Sequence, residues 1–293
     1  MKDRLVFVHR IDKDNVGDLA CSIFNSLPLS FLDVLKKKYE LVNLDIKNPL
    51  FIRKNDILII GGGGLLNLSF QKFWDKVISR KNKFIILGAG ENFGSNKISG
   101  IHNTVSSEEK SFEKEILSNS LYSGLRDKIT HKNTSYCPCP SIELVSYLQN
   151  FVCKKTKMKP LVIQHHQVRA DNSYPDSFEV IDNSKISALE MISKISQASE
   201  VYTSSYHGYL WSFWQRKKVL ALPFSSKFTA SRHIKKIKLA KSIKDFDYKI
   251  KNDFLSQMHS RAEIGQSVDI IEKEKKIYQN QIKAAFKKLL CPT

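Results

Sequence analysis

Four short segments hold residue types and spacings that could do chemistry. The first, Asn15-Val16-Gly17-Asp18, joins a turn-permitting glycine to a carboxylate that could cap a helix or accept a sugar hydroxyl, and both readings stand at this level. The second is Gly61-Gly62-Gly63-Gly64, whose missing side chains permit close backbone approach and expose amides at a helix start. Four consecutive glycines cost backbone entropy, which weighs against a purely structural purpose. The third, Ser123-Gly124-Leu125-Arg126-Asp127, sets an arginine at a strand end, and only nine of the 47 basic residues are arginine. A guanidinium grips carboxylate or phosphate through two parallel hydrogen bonds, which an ammonium cannot form. The plainer alternative is a surface pair with Asp127. The fourth, Thr203-Ser204-Ser205-Tyr206-His207-Gly208, supplies hydroxyls, an imidazole able to give up a proton near neutrality, and a glycine opening a helix.

Other motifs fail on spacing. A dinucleotide fingerprint begun within residues 61–64 needs glycine at 66 or 67, where Leu66 and Asn67 stand. One begun at Gly88 needs it at 93, which is Phe93. There is no G-K-[ST] phosphate loop and no G-x-S-x-G nucleophile elbow. Cys137-Pro138-Cys139-Pro140 could hold a soft metal only with a second pair of ligands. Cys153 and His131 make poor partners, so no metal is assigned. His165-His166 follows an apolar strand, so one of them could face a cleft, although a packed or surface pair is the plainer reading. No nucleic-acid module is found and the lysines are dispersed, so nucleic acid is not an expected partner.

The elements that must position these segments alternate along the chain. Strands are expected at residues 5–9, 40–44, 56–60, 84–87 and 122–125, with a helical pattern at 65–78. Continuous apolar strands such as Ile57-Leu58-Ile59-Ile60 suit a parallel sheet covered on both faces. A lysine-rich break at 153–160 ends in Pro160, and the pattern restarts with strands at 161–164, 201–204 and 219–222 and helices at 185–198 and 209–215. The expected fold is α/β, two Rossmann-like domains facing a cleft: residues 1–152, then 160–260, with a C-terminal amphipathic helix in 261–293. That helix has Ile270, Ile271, Ile277, Tyr278, Ile282, Phe286, Leu289 and Leu290 along one face and Lys and Glu on the other. It should pack on the body; the sharper alternative is a peripheral contact with an anionic membrane.

Composition bounds the class. The 293 residues are 42% apolar and 10% aromatic, enough for a chain that buries roughly three quarters of its unfolded surface, which excludes disorder as the overall state. The net charge of +18 favours anionic partners or reflects a solvated lysine surface. Five scattered cysteines argue for a reducing compartment. The apolar run at residues 5–8 is too short for a signal-peptide core, and the stretch 57–66 too short for a bilayer span. A cytoplasmic protein is expected, with an association at the inner membrane face and a homo-oligomer left open.

The succession N-x-G-D, GGG-x-L, R-D and S-S-x-H-G, over roughly residues 5–230, resembles the polysaccharide pyruvyl transferase family. The resemblance implies a glycosyltransferase-B-like architecture and an enzyme that transfers the enolpyruvyl unit of phosphoenolpyruvate to sugar hydroxyls of a surface or extracellular polysaccharide precursor, forming a pyruvate ketal. It implies His207 as the catalytic acid, and Arg126, Lys227, Ser205, Tyr206 and Gly208 around the donor. Asn15, Asp18, Gly62, Gly63 and Gly64 fall on the side of the acceptor, a sugar or lipid-linked oligosaccharide. No cofactor and no metal are implied. Many members carry arginine directly before the histidine; Tyr206 stands there in this chain, so one cationic contact is missing. Two other readings remain: a nucleotide-sugar glycosyltransferase of the same architecture, for which no confident acidic ribose partner is seen, and a catalytically degenerate glycan-binding member.

Overall fold

The computed structural model describes residues 2–96, 101–102, 104–127, 131, 134–149, 159–168, 174–231, 238–252, 255 and 270–290. The first half runs β1 (Asp3–His9), α1 (Val16–Ala20), α2 (Ile23–Ser26), α3 (Leu29–Lys38), β2 (Tyr39–Asp45), β3 (Ile57–Gly61), α4 (Gln71–Ser79) and β4 (Lys83–Ala89). It continues through a two-stranded antiparallel ribbon, β5 (Ser95–Asn96) and β6 (Ile101–His102), then α5 (Ser107–Asn119), β7 (Tyr122–Leu125), β8 (Thr134–Tyr136) and α6 (Ser141–Gln149). The second half runs β9 (Leu161–Gln164), β10 (Glu179–Asp182), α7 (Ala188–Gln197), β11 (Glu200–Thr203), α8 (Tyr206–Trp214), β12 (Lys218–Ala221), α9 (Ser226–Thr229), β13 (Lys238–Leu239) and α10 (Ile243–Lys251). A long α11 (Ile270–Leu290) follows.

Two parallel sheets result, ordered β2-β1-β3-β4-β7-β8 and β10-β9-β11-β12-β13. The period-2 geometry of the strands sorts the core. Leu5, Phe7, Ile59, Ile85 and Leu87 face one way, and their cluster runs on into the second half through Cys139, Ile142, Ile163 and Trp211. Val6, Val8, Leu58, Ile60 and Ile86 face the other way, onto Phe73, Trp74 and Ile116 of α4 and α5. One sheet face thus belongs to the interface between the halves.

Three expected helices begin elsewhere, each for a capping reason: α7 starts at Ala188 rather than 185, where Ser187 accepts the Glu190 N–H at 3.1 Å. Residues 65–67 are not helical: Leu66 bridges to Glu91, and Asn67 caps a 3₁₀ turn by accepting the Ser69 N–H at 2.8 Å, so α4 starts only at Gln71. Helix α8 starts at Tyr206 rather than 209, because Ser205 accepts the Gly208 N–H at 3.3 Å and caps it. Every residue of α8 is buried, so its sequence carries no amphipathic period to mark that start. The break at 153–160 lies mostly outside the described residues.

Helix α11 packs on the first half, its apolar face covered by the body. Tyr278 Oη lies 2.6 Å from Ser26 Oγ, Phe286 meets Phe31 edge-on at 5.0 Å, and Glu274 accepts from Tyr136. Among the described residues no helix is long and apolar enough to cross a membrane.

Candidate active site

The carboxyl ends of β1, β3, β7, β9 and β11 converge where the halves meet. After β1, Asn15 caps α1: its Oδ1 accepts the Gly17 N–H at 3.2 Å while its Nδ2 donates to Asp18 Oδ2 at 3.2 Å. The opposite half meets it there, with Asn183 Nδ2 donating to Asn15 Oδ1 at 3.3 Å and the Val16 N–H donating to the Asn183 carbonyl at 3.2 Å. The cap and the functional reading of this segment are therefore compatible, since capping leaves Asp18 oriented into the cleft. Burial pushes the Asp18 carboxyl up, opposed by the charges of His207, Lys227 and Arg126.

His207 occupies the first turn of α8 and is buried. Its Nε2 is 3.7 Å from Cys139 Sγ, and its ring packs on Trp211 at 5.7 Å and edge-on to Tyr206 at 5.6 Å. Gly17 makes room for it: a β-carbon there would lie 2.0 Å from His207 Nδ1. Gly17→Ala should therefore displace the imidazole and destabilise the fold by roughly 1–3 kcal/mol, the usual cost of overpacking, measurable as a lowered midpoint of thermal unfolding.

Arg126, at the end of β7, is only 5% exposed. Its guanidinium carbon sits 4.2 Å above the Tyr206 ring and its Nε is 3.8 Å from Asp127, outside hydrogen-bonding distance. None of its three side-chain nitrogens has a hydrogen-bond partner among the described residues. The pair with Asp127 considered from sequence is thus present, but buried and not at the surface. Lys227, on α9, places Nζ 4.6 Å from the Phe224 ring and 5.9 Å from the Tyr206 ring. Tyr206 therefore serves as a shared aromatic platform under two cations.

Asp18, Asn15, Gly64 and Lys227 line a cavity of about 170 Å³ together with His165 and His166. Gly62 and Gly63, with φ of +75° and +76°, do not line it; a β-carbon on Gly62 would fall 1.8 Å from the Cys21 carbonyl oxygen. The glycine run thus lets the β3 loop pass under Cys21, and no helix start follows it directly. Ser205 and Gly208 act locally, as cap and capped amide; a β-carbon on Gly208 would strike Thr203 Oγ1 at 2.6 Å. A larger groove of about 630 Å³ beside α1, α6 and α7 is lined mostly by apolar side chains and by none of the expected site residues.

Sequence reasoning missed Cys21 and Asn183, considered Cys139 only as a metal ligand, and undervalued His165 and His166. The two histidines stack at 4.4 Å on the cavity wall, and their place after an apolar strand was the available signal. Among the described residues Cys139 finds its neighbours in Cys21 and His207, not in His131, and Cys153 lies outside the described residues; the three donor atoms lie within 4.8 Å of one another. Such a set would suit a soft cation such as zinc. Here both sulfurs already have hydrogen-bond partners: Cys139 accepts the Ser141 hydroxyl at 3.3 Å, and Cys21 donates to the Asp18 carbonyl at 3.2 Å.

Asp127 Oδ2, beside Arg126, accepts the Glu91 N–H at 2.9 Å, and burial pushes this carboxyl up to about 7. Glu113 is likewise raised to about 7, by burial and then by the charges of Glu91 and Asp127. A carboxyl raised on folding withdraws stability as pH climbs from its ordinary 4.5 to about 7. Thermal melts should show Glu113→Gln gaining on the wild type across that window and holding its lead above it.

Comparison with known proteins follows this geometry. A family model described as polysaccharide pyruvyl transferase matches residues 6–226. No curated protein matches the chain. Among solved structures, a Listeria monocytogenes protein described as a UDP-N-acetylglucosamine 2-epimerase superposes with a TM-score of 0.60 and 11% identity, over 100% of this chain and 98% of that one. A functionally uncharacterised Klebsiella pneumoniae protein aligns over 75% of this chain and 83% of its own, at 16% identity and a TM-score of 0.44. At 11% identity the first likeness speaks to fold alone: two Rossmann-like halves in a glycosyltransferase-B-like arrangement.

Proposed function

This chain belongs to the polysaccharide pyruvyl transferase family and is a transferase, and from that premise we propose that it moves the enolpyruvyl unit of phosphoenolpyruvate onto sugar hydroxyls of a surface or extracellular polysaccharide precursor. One observation carries the donor assignment: a buried arginine, Arg126, whose three side-chain nitrogens have no hydrogen-bond partner among the described residues, the neighbouring Asp127 carboxylate standing 3.8 Å off. Leaving buried donors unmet costs about 1–3 kcal/mol each, so such a group is built for an anion that completes it. Phosphoenolpyruvate carries about three negative charges, and a guanidinium fork with a nearby ammonium matches its carboxylate and phosphate.

The chemistry then runs through this chain's own residues. Arg126 and Lys227 hold the donor; His207, as an imidazolium, gives its proton to the methylene carbon. A sugar hydroxyl attacks the cationic C2 so formed, with Asp18 placed at the cavity wall to take the hydroxyl's hydrogen. A second hydroxyl of the sugar displaces phosphate, which leaves carrying that hydroxyl's hydrogen, and closes the ketal. Asn15 orients Asp18, and Gly64 gives the acceptor close approach to the backbone.

The decisive experiment measures phosphate release from phosphoenolpyruvate with a panel of candidate sugars, alongside thermal-shift screening. Release that requires both substrates, and stabilisation by phosphoenolpyruvate, are expected. Stabilisation by uridine or guanosine diphosphate but not by phosphoenolpyruvate would overturn the reading in favour of nucleotide-sugar transfer.

A further inference from the structure

Between β2 and β3 the chain makes a 3₁₀ turn, Pro49–Phe51, that leaves two adjacent apolar side chains in solvent: Leu50 is 86% exposed and Phe51 65%. Single exposed apolar residues are ordinary; this turn differs in how its backbone is held. The Leu50 carbonyl accepts from Lys76 Nζ at 3.3 Å, the Phe51 carbonyl from the Arg4 guanidinium at 3.5 Å, and the Ile52 carbonyl from Arg80 at 2.5 Å. Asn82 Nδ2 then donates to the Arg53 carbonyl at 2.8 Å and the Lys54 carbonyl at 3.1 Å. Ile52 itself is buried among Val6, Leu58 and Trp74. Side chains from β1, α4 and the loop before β4 thus pin the turn from behind, while Leu50 and Phe51 stand out from it.

The rim of the turn is cationic. Lys47, Arg53 and Lys54 are exposed beside it, and Lys76 and Arg80 bring their charges to its carbonyls. The nearby acids are mostly taken. Asp56 is buried, 3.6 Å from Arg4 Nε, and accepts the Arg53 N–H at 2.7 Å, while Asp45 is paired with Arg10. Asp75 is the exposed carboxylate of α4. A protein partner needs about 800 Å² of matching surface on each side. Two side chains rising from a basic rim form a small convex point, which a soft bilayer receives without a complementary pocket. Apolar side chains reaching the acyl boundary, with Lys and Arg heads at the level of the phosphates, have the composition of an interfacial anchor. Helix α11 does not offer this combination. Its apolar face lies on the body, so its outer lysines Lys273, Lys276, Lys283 and Lys287 supply charge alone.

We propose that the Leu50–Phe51 turn docks this protein on an anionic phospholipid bilayer, the two side chains entering the boundary between headgroups and acyl chains and the basic rim pairing with lipid phosphates. This goes beyond the pyruvyl-transfer reading and does not depend on it. Docking would also hold the cleft near the membrane: Lys47 lines the cavity between the halves, and the three residues from it to Leu50 span at most about 11 Å.

The test is co-sedimentation of the full chain with vesicles of phosphatidylcholine alone and of phosphatidylcholine mixed with phosphatidylglycerol. Binding to the mixed vesicles, weakening as salt rises, is expected. Leu50→Ser combined with Phe51→Ser should lower the partition coefficient by about tenfold or more, the lower end of what burying an apolar side chain contributes. Arg53→Gln combined with Lys54→Gln should lower it by about fivefold for each cation removed. Lys276→Gln, Lys283→Gln and Lys287→Gln together, on α11, should leave it unchanged. The substituted side chains are exposed, so unfolding midpoints should match the wild type. No binding to the mixed vesicles, full binding by the Leu50–Phe51 variant, or a loss confined to the α11 variant would each overturn the proposal. So would self-association in the absence of vesicles, seen by analytical ultracentrifugation and abolished in the Leu50–Phe51 variant, which would assign the turn to a second copy of this chain.

Discussion

His207→Ala is expected to lower turnover by about 10²–10⁴-fold, the range a positioned general acid contributes. The loss should fall on kcat and leave KM for phosphoenolpyruvate near its wild-type value, because the imidazole acts on the methylene carbon while Arg126 and Lys227 hold the charged groups. The ring fills space between Gly17, Trp211 and Tyr206, so the variant's unfolding midpoint must be measured beside its kinetics. Wild-type turnover in a folded His207→Ala protein would remove the proton-donor assignment.

Arg126→Ala should reduce kcat/KM by about 10²–10³-fold, comparable with loss of a transition-state anion donor, and abolish the thermal stabilisation by phosphoenolpyruvate. Arg126→Lys should rescue little. An ammonium is a point charge on a flexible stem; it cannot present the planar fork to two oxygens as a guanidinium does, and it would lose the cation–π placement of Cζ 4.2 Å over the Tyr206 ring. Retention of the phosphoenolpyruvate thermal shift in Arg126→Ala would place the donor elsewhere in the cleft.

The parts of this molecule that were legible in the sequence are those governed by local physics. Apolar runs such as Leu58-Ile59-Ile60 announce buried parallel strands, and the loops after those strands hold Arg126 and His207 where a two-halved α/β protein binds its ligands. Helix starts set by side-chain caps were not among the expected bounds, as with the reciprocal capping box of Ser106 and Glu109 that opens α5. They were hidden at Tyr206, where a helix buried on all sides has no period to read. The Cys139–His207 contact spans 68 residues and two halves, and its members carry no spacing motif; only the tertiary fold brings them together. The glycine run misled in a different way. Its positive φ angles and tight approach to Cys21 serve backbone routing, and only Gly64 reaches the cavity.

Helix α11 follows the second half in sequence yet completes the first, through Tyr278 on Ser26 and Phe286 on Phe31. During synthesis the first sheet must therefore wait until Leu290 has left the ribosome before its outer layer is in place. Its assembly cannot be strictly vectorial, and α11 acts as the late clasp that closes the first sheet.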